Sequence, residues 1–254
     1  MTHAKVGDSQ RGEDPSVRAL EQYAASLFGK EEALFVPSGT MGNLVSVASW
    51  TRPGDIIVAS ESSHVAGREG PGISNLAAVA ILGIDTPGGI FTADDVARAI
   101  EEAPLRSRAK VRLVTAENTH NAGGGTIFPI ASLRRIHSLC RKTGIPVHID
   151  GSRIFNASVA SGVPPTDYGK VCRSLMFCLS KGLGAPVGSI VVGSRDFLEE
   201  ARSVGVRIGG GMRQSGIVAA GGLYALRNNV RRMAEDHEHA KALAQALADL
   251  PGIE

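Results

Sequence analysis

Four groups of residues have the types and spacing to do chemistry. The first is Ser38-Gly39-Thr40-Met41-Gly42-Asn43. A helix opening there presents free N–H groups and a positive dipole end. Glycine lets an anion approach, and the Ser38 and Thr40 hydroxyls can donate, so the turn suits phosphate. An ordinary Ser/Gly helix start fits the same residues. The second is Asp150, at the end of the apolar run Val147-His148-Ile149. A carboxylate at such a place needs a partner to offset desolvation. That partner is either a protonated ring nitrogen of a ligand or Arg153, in an ion pair pinning the strand end. The third is Lys181, which follows Phe177-Cys178-Leu179-Ser180 and precedes Gly182-Leu183-Gly184-Ala185-Pro186-Val187-Gly188. Burial there favours the neutral amine that Schiff-base chemistry requires, whereas a lysine snorkelling at a loop mouth would stay charged. The fourth is His64 in Ser62-Ser63-His64-Val65 and His120 in Glu117-Asn118-Thr119-His120-Asn121. Either can lie flat on an aromatic cofactor, act as general base, or simply hydrogen-bond its own loop. His148 is expected to pack in a strand, and His237 and His239 to face solvent from a charged helix. A phosphate turn, then a strand-end Asp, then a strand-end Lys is the order expected of an enzyme holding pyridoxal 5′-phosphate (PLP).

Alternating strands and helices must position these groups. Asp14-Pro15 reads as N-cap and first residue of a helix that Gly29 ends. Strands are predicted at 33–36, 56–58, 79–82, 111–115, 147–149, 175–178 and 189–192. Between them lie helices at 92–103 (opened by a Thr92/Asp95 capping box), 131–142, 153–161 and 196–202. This pattern implies a three-layer α/β/α fold with a mostly parallel sheet, and ligands then bind beyond the carboxyl ends of the strands. From Met212 onward helices at 216–234 and 237–250 are expected.

Composition narrows the function. Glycine supplies 31 of 254 residues, about 12% against a usual 7%, which points to close backbone approaches to a ligand. Aromatics are only 4%, too few for a base-stacking platform. The net charge of +2 is well mixed, and Arg134-Arg135 and Arg231-Arg232 read as solvated helix faces, so no nucleic-acid partner is expected. Three cysteines without metal-binding spacing imply reduced thiols and no metal. Neither a signal peptide nor a run of about 18 apolar residues is present, which implies a cytoplasmic protein without membrane contact.

On these motifs, joined by Gly12-Glu13-Asp14-Pro15 and Gly209-Gly210-Gly211-Met212-Arg213-Gln214, the sequence resembles the low-specificity L-threonine aldolases. The resemblance implies the PLP-dependent transferase-like (aspartate aminotransferase-like, fold type I) large domain over residues 1–235. Residues 236–254 would form a helix leading into a small C-terminal domain that is absent. It further implies that Lys181 forms the Schiff base with PLP and that Asp150 pairs with the pyridine nitrogen. Arg153 would lie near the phenolic oxygen. Gly39 and Thr40 would hold the phosphate, with Ser38 and Ser180 alongside. His64 would stack on the ring, His120 would approach the substrate hydroxyl as base, and Arg213 would contact phosphate across a subunit interface in a homodimer or homotetramer.

The implied reaction is retro-aldol cleavage of L-threonine or L-allo-threonine to glycine and an aldehyde. Alternatives are a shortened chain that binds PLP with little turnover, and another PLP reaction such as β-elimination or racemisation. The sequence departs from the family pattern at Ser9-Gln10-Arg11, at Arg68 where an aromatic residue is expected, and in lacking an Arg-Ser-Asp-Thr-Val-Thr-like opening. The family's substrate-carboxylate arginine would belong to the absent domain.

Overall fold

The computed structural model describes residues 1–106, 109–248, 250 and 252, with residues 104–106 described by their backbone alone. In chain order the elements are α1 (Pro15–Phe28), β1 (Glu32–Val36), α2 (Gly39–Trp50), β2 (Ile56–Ser60), α3 (Gly70–Leu76) and β3 (Ala80–Ile84). Next come α4 (Ala93–Arg106), β4 (Val111–Glu117), α5 (Ile130–Thr143), β5 (Val147–Asp150), α6 (Ile154–Ser161) and α7 (Pro165–Lys170). The chain continues with β6 (Ser174–Cys178), β7 (Ser189–Gly193), α8 (Arg195–Arg207), α9 (Gly216–Asn228) and α10 (Met233–Ala248).

The strands form one sheet in the order β1-β7-β6-β5-β4-β2-β3. β2 through β6 run parallel, and β7 runs antiparallel to both β6 and β1. Because successive strand residues point to opposite faces, each strand feeds two cores. Ile190 and Val192 belong to the core that α1, α5 and α9 also line on one face, and Val191 to the core lined by α2 and α8 on the other. Both faces are covered, as continuous apolar strands require. This is the expected three-layer α/β/α, fold-type-I architecture. The Thr92/Asp95 box closes as read, with Asp95 N–H donating to Thr92 Oγ1 at 3.2 Å and Thr92 N–H to Asp95 Oδ2 at 2.8 Å. Among the described residues no helix is long and apolar enough to cross a membrane.

Three expectations are corrected. The helix expected over 216–234 stops at Asn228, and the next residue, Asn229, donates its side-chain amide to the Leu183 carbonyl at 2.7 Å. The last helix begins at Met233 rather than His237, since Met233 is buried in the main core. His237 is half-buried instead of solvated, its Nε2 lying 3.2 Å from Asn156 Nδ2 on α6. The helices α3 and α7 escaped the reading because their Gly70-Pro71-Gly72 and Pro165 openings resemble turns.

Candidate active site

The loops after the parallel strands and the start of α2 enclose a cleft of about 440 Å³. Ser38, Gly39, Thr40, His64, Ser180 and Lys181 wall it, with Arg68 and Glu69 beside them. Ser38 caps α2 by accepting the Met41 N–H at 3.1 Å, which leaves the Gly39 and Thr40 N–H groups free toward the cleft. Only glycine fits at position 39: a Cβ there would lie 2.8 Å from Cys178 Sγ, so α2 could not settle against β6. Lys181 is half-buried and, among the described residues, has no ion-pair partner.

Asp150 is buried at the end of β5. Its Oδ1 accepts the Ser152 N–H at 3.1 Å and the Ser152 hydroxyl at 2.8 Å. Its Oδ2 accepts from Asn43 Nδ2 at 2.9 Å. Three donors converge on two oxygens, the arrangement of a carboxylate rather than a carboxylic acid. Arg153 is not bonded to it, so the ion pair that would merely pin the strand end is not formed. The Arg153 backbone instead opens α6.

His64 is held from behind. Glu117 ends β4 in register with Asp150 and is buried. Its Oε2 accepts the His64 N–H at 2.7 Å, and its Oε1 lies 3.0 Å from His64 Nδ1 and accepts the Asn121 N–H at 2.8 Å. A carboxylate facing Nδ1 fixes the proton there and leaves Nε2 as acceptor. One side-chain atom each from His64, Glu117 and Asp150 lies within 4.8 Å of the others, so the histidine and the strand-end carboxylate share one site.

Two expected residues are not among those that wall this cleft. His120 is fully buried and does not wall the cleft. Its Nδ1 accepts the Gly123 N–H at 3.1 Å, and its other ring edge lies so close to Gly89 that a Cβ there would come within 2.1 Å. One edge of the ring thus packs against the turn at Pro87–Gly89, and its Nε2 is buried without a hydrogen-bond partner among the described residues. Arg213 is exposed and bound to Asp8, Nη1 to Oδ2 at 2.6 Å, away from the cleft of its own chain. Arg68 sits exposed at the cleft wall, without an ion-pair partner among the described residues.

A family model described as "Beta-eliminating lyase" matches residues 1–254. The chain belongs to the beta-eliminating lyase family. It is 42% identical over 250 residues to the low specificity L-threonine aldolase of Escherichia coli (strain K12), covering 98% of this chain and 74% of that protein. It is 40% identical over 262 residues to low-specificity L-threonine aldolase 1 of Arabidopsis thaliana, covering 100% of this chain and 72% of that protein. Among solved structures, a putative L-allo-threonine aldolase from Listeria monocytogenes EGD-E superposes with a TM-score of 0.86 at 24% identity, covering 99% of this chain and 68% of that one. This last likeness is one of fold.

Sequence reasoning missed Asn43, Glu69 and Glu117 as site residues of this family member. Asn43 Nδ2 bridges Asp150 and Glu69, donating to Glu69 Oε2 at 2.8 Å. Burial, with Asp150 nearby, raises the Glu69 carboxyl above its ordinary value. The available signal was polarity out of place: an Asn one turn into an apolar helix, and a Glu closing an apolar strand.

His148, beside Asp150 on β5, is held down to about 4 by burial, against the opposing pull of Asp150. In the unfolded chain the same ring takes up its proton near 6.5. Between those values the unfolded state binds more protons, so stability rises with pH. This group leaves stability unaffected above about 6.5 and lowers it progressively as the pH falls toward about 4. Urea midpoints measured from pH 7 down to pH 5 are expected to fall more steeply in the wild type than in His148→Gln. Equal slopes would remove His148 as the cause.

Proposed function

We propose that this chain cleaves L-threonine, L-allo-threonine and related β-hydroxy-α-amino acids to glycine and an aldehyde, with PLP as cofactor. The observation that carries the reading is an unpaired, half-buried Lys181 in the same cleft as the free N-terminus of α2. The cleft volume, about 440 Å³, falls within the roughly 300–1,000 Å³ of small-molecule sites. Identity of 40–42% to low-specificity L-threonine aldolases supports the choice of reaction.

The residues present fit the cofactor. Gly39 and Thr40 N–H groups, with the Ser38 and Thr40 hydroxyls, suit a phosphate. Asp150 suits a protonated pyridine nitrogen, the His64 ring suits an aromatic face, and the Lys181 amine suits the aldehyde carbon. When bound, PLP supplies a sink for the electron pair released as the substrate Cα–Cβ bond breaks. The protein does the rest. Asp150, fixed by three donors, offers a negative charge that cannot rotate away. His64 Nε2, freed as acceptor by Glu117 and standing in the cleft wall, takes the proton of the β-hydroxyl, the task that the resemblance gives to His120. Three buried, unpaired cysteines support a reducing, cytoplasmic setting. A homodimer or homotetramer follows from the family resemblance alone.

Mixing the purified chain with PLP is expected to produce a Schiff-base absorption band at the visible edge, and adding L-threonine to release acetaldehyde and glycine. Pyruvate and ammonia in their place would assign β-elimination instead. A band without any product would leave a cofactor-binding chain with no aldolase activity, and the proposal would fail.

A further inference from the structure

Beneath the cleft, a line of polar side chains runs through the core between α2 and the sheet. Asn43 and Trp50 lie seven residues apart on α2, two helical turns, and so share a face. His148 and Asp150 lie two apart on β5 and share a face of the sheet, and Ser174 on β6 is the register partner of His148. Trp50 Nε1 donates to Ser174 Oγ at 2.8 Å. Ser174 Oγ lies 2.9 Å from His148 Nδ1, and His148 Nε2 lies 3.3 Å from Asn43 Oδ1. Asn43 Nδ2 then meets Asp150 and Glu69. Asn43, His148, Ser174 and Asp150 are all buried.

Every proton in this line can be placed by elimination. The Asn43 amide nitrogen must face Asp150, because its oxygen there would meet a carboxylate oxygen, acceptor against acceptor. Asn43 Oδ1 therefore faces His148 and must accept, which puts a proton on His148 Nε2. A buried neutral ring then has a bare Nδ1, and Ser174 must donate to it. The Ser174 oxygen in turn accepts from the indole N–H, which can only donate. Donation thus runs one way, from Trp50 to Asp150.

We infer that Asn43 and His148 are positioning residues for Asp150, and that the direction of this donor chain, in addition to its packing, keeps the Asp150 carboxylate oriented toward the cleft. A histidine able to reverse its tautomer would let the Asn43 amide flip and turn a lone pair on Asp150. Ser174 and Trp50 remove that freedom from the far side of the core. The functional consequence rests on the PLP reading, whereas the proton assignment does not.

The test has two arms. In ¹⁵N-histidine-labelled protein, with the His148 resonances assigned by their loss in His148→Gln, the ring is expected as the neutral Nε2–H tautomer at neutral pH. An Nδ1–H tautomer or an imidazolium would overturn the chain. The second arm compares His148→Gln, which can donate to Asn43 and accept from Ser174, with His148→Leu, which fills the space but does neither. His148→Leu is expected to weaken equilibrium PLP binding about tenfold, the scale of one or two lost hydrogen bonds, and to move the pH at which the bound cofactor's absorption titrates. His148→Gln should restore both to near wild type. Equal behaviour of the two variants would reduce the line to packing and sink the positioning role. Trp50→Phe, which keeps the stacking on Phe197 but removes the first donor, should shift the same titration in the same direction if His148→Leu does not fold. An unmoved titration in that variant would count against the chain. A wild type that binds no PLP would remove the cofactor reading, while the tautomer would still decide the donor chain.

Discussion

Lys181→Ala is expected to lower aldehyde release from L-threonine by about 10⁴-fold or more, the scale seen when a covalent catalytic group is deleted. Among the described residues Lys181 is the lysine of the cleft wall, so no other amine of that wall stands ready to take its place. Its loop is also built to hold one position. Leu179 N–H donates to Gly188 O at 2.9 Å, Ala185 N–H to Leu179 O at 3.0 Å, and Asn229 clamps the Leu183 carbonyl from α9's end. Alanine would leave those backbone bonds intact, so the fold should survive while the amine is lost. The α2 N-terminus is untouched, so the variant should still take up PLP reversibly, with the absorption of the free aldehyde rather than of a Schiff base. Spectra of the dialysed variant and an acetaldehyde assay check both parts. A Schiff-base band surviving in Lys181→Ala would place the attachment on another lysine and dismantle the site as drawn.

How much of this was legible depended on whether a residue's partner lay nearby in sequence. The α2 start needed only Ser38, Gly39 and Thr40 in succession, and it folds as read. The alternation of apolar runs gave every strand within two residues or so, because burial on both faces leaves little choice of pattern. Asp150 and Lys181 were legible as charges at strand ends. What held them was not. Glu117 clamps a histidine 53 residues away, and Asn43 reaches Asp150 across 107 residues of chain. The packing of His120 was hidden for the same reason. Its loop follows a strand on the ligand side, but one edge of its ring packs against the turn at Pro87–Gly89, from a different crossover. Periodicity fixes which face a residue lies on, while contacts between distant loops are decided by topology.

Asp14 shows the same gap between a local motif and its tertiary use, and it yields the largest expected loss of stability. In sequence it is the N-cap of α1, and its Oδ1 does accept the Ser16 and Val17 N–H groups at 3.0 and 3.1 Å. Its Oδ2 has a second task, accepting Gly7 N–H at 3.1 Å and Gly216 N–H at 2.9 Å. One buried carboxylate thus joins the N-terminal segment, α1 and the start of α9. A Cβ at Gly216 would come within 2.3 Å of the carboxylate, so glycine is required for that approach. At an ordinary N-cap, Asn serves about as well as Asp. Here Asp14→Asn would turn an amide toward two N–H donors, whichever way it rotates, and strand both. An unsatisfied buried group costs about 1–3 kcal/mol, and Gly216 N–H is buried while Gly7 N–H is half-buried and partly reached by water, so Asp14→Asn should cost about 2–4 kcal/mol and Asp14→Ala somewhat more. Urea unfolding of the three proteins measures this directly. If Asn matches wild type within about 0.5 kcal/mol, the spread normal for neutral surface changes, then Asp14 acts only as a helix cap. The bonds to Gly7 and Gly216 would then contribute nothing to holding the three segments together.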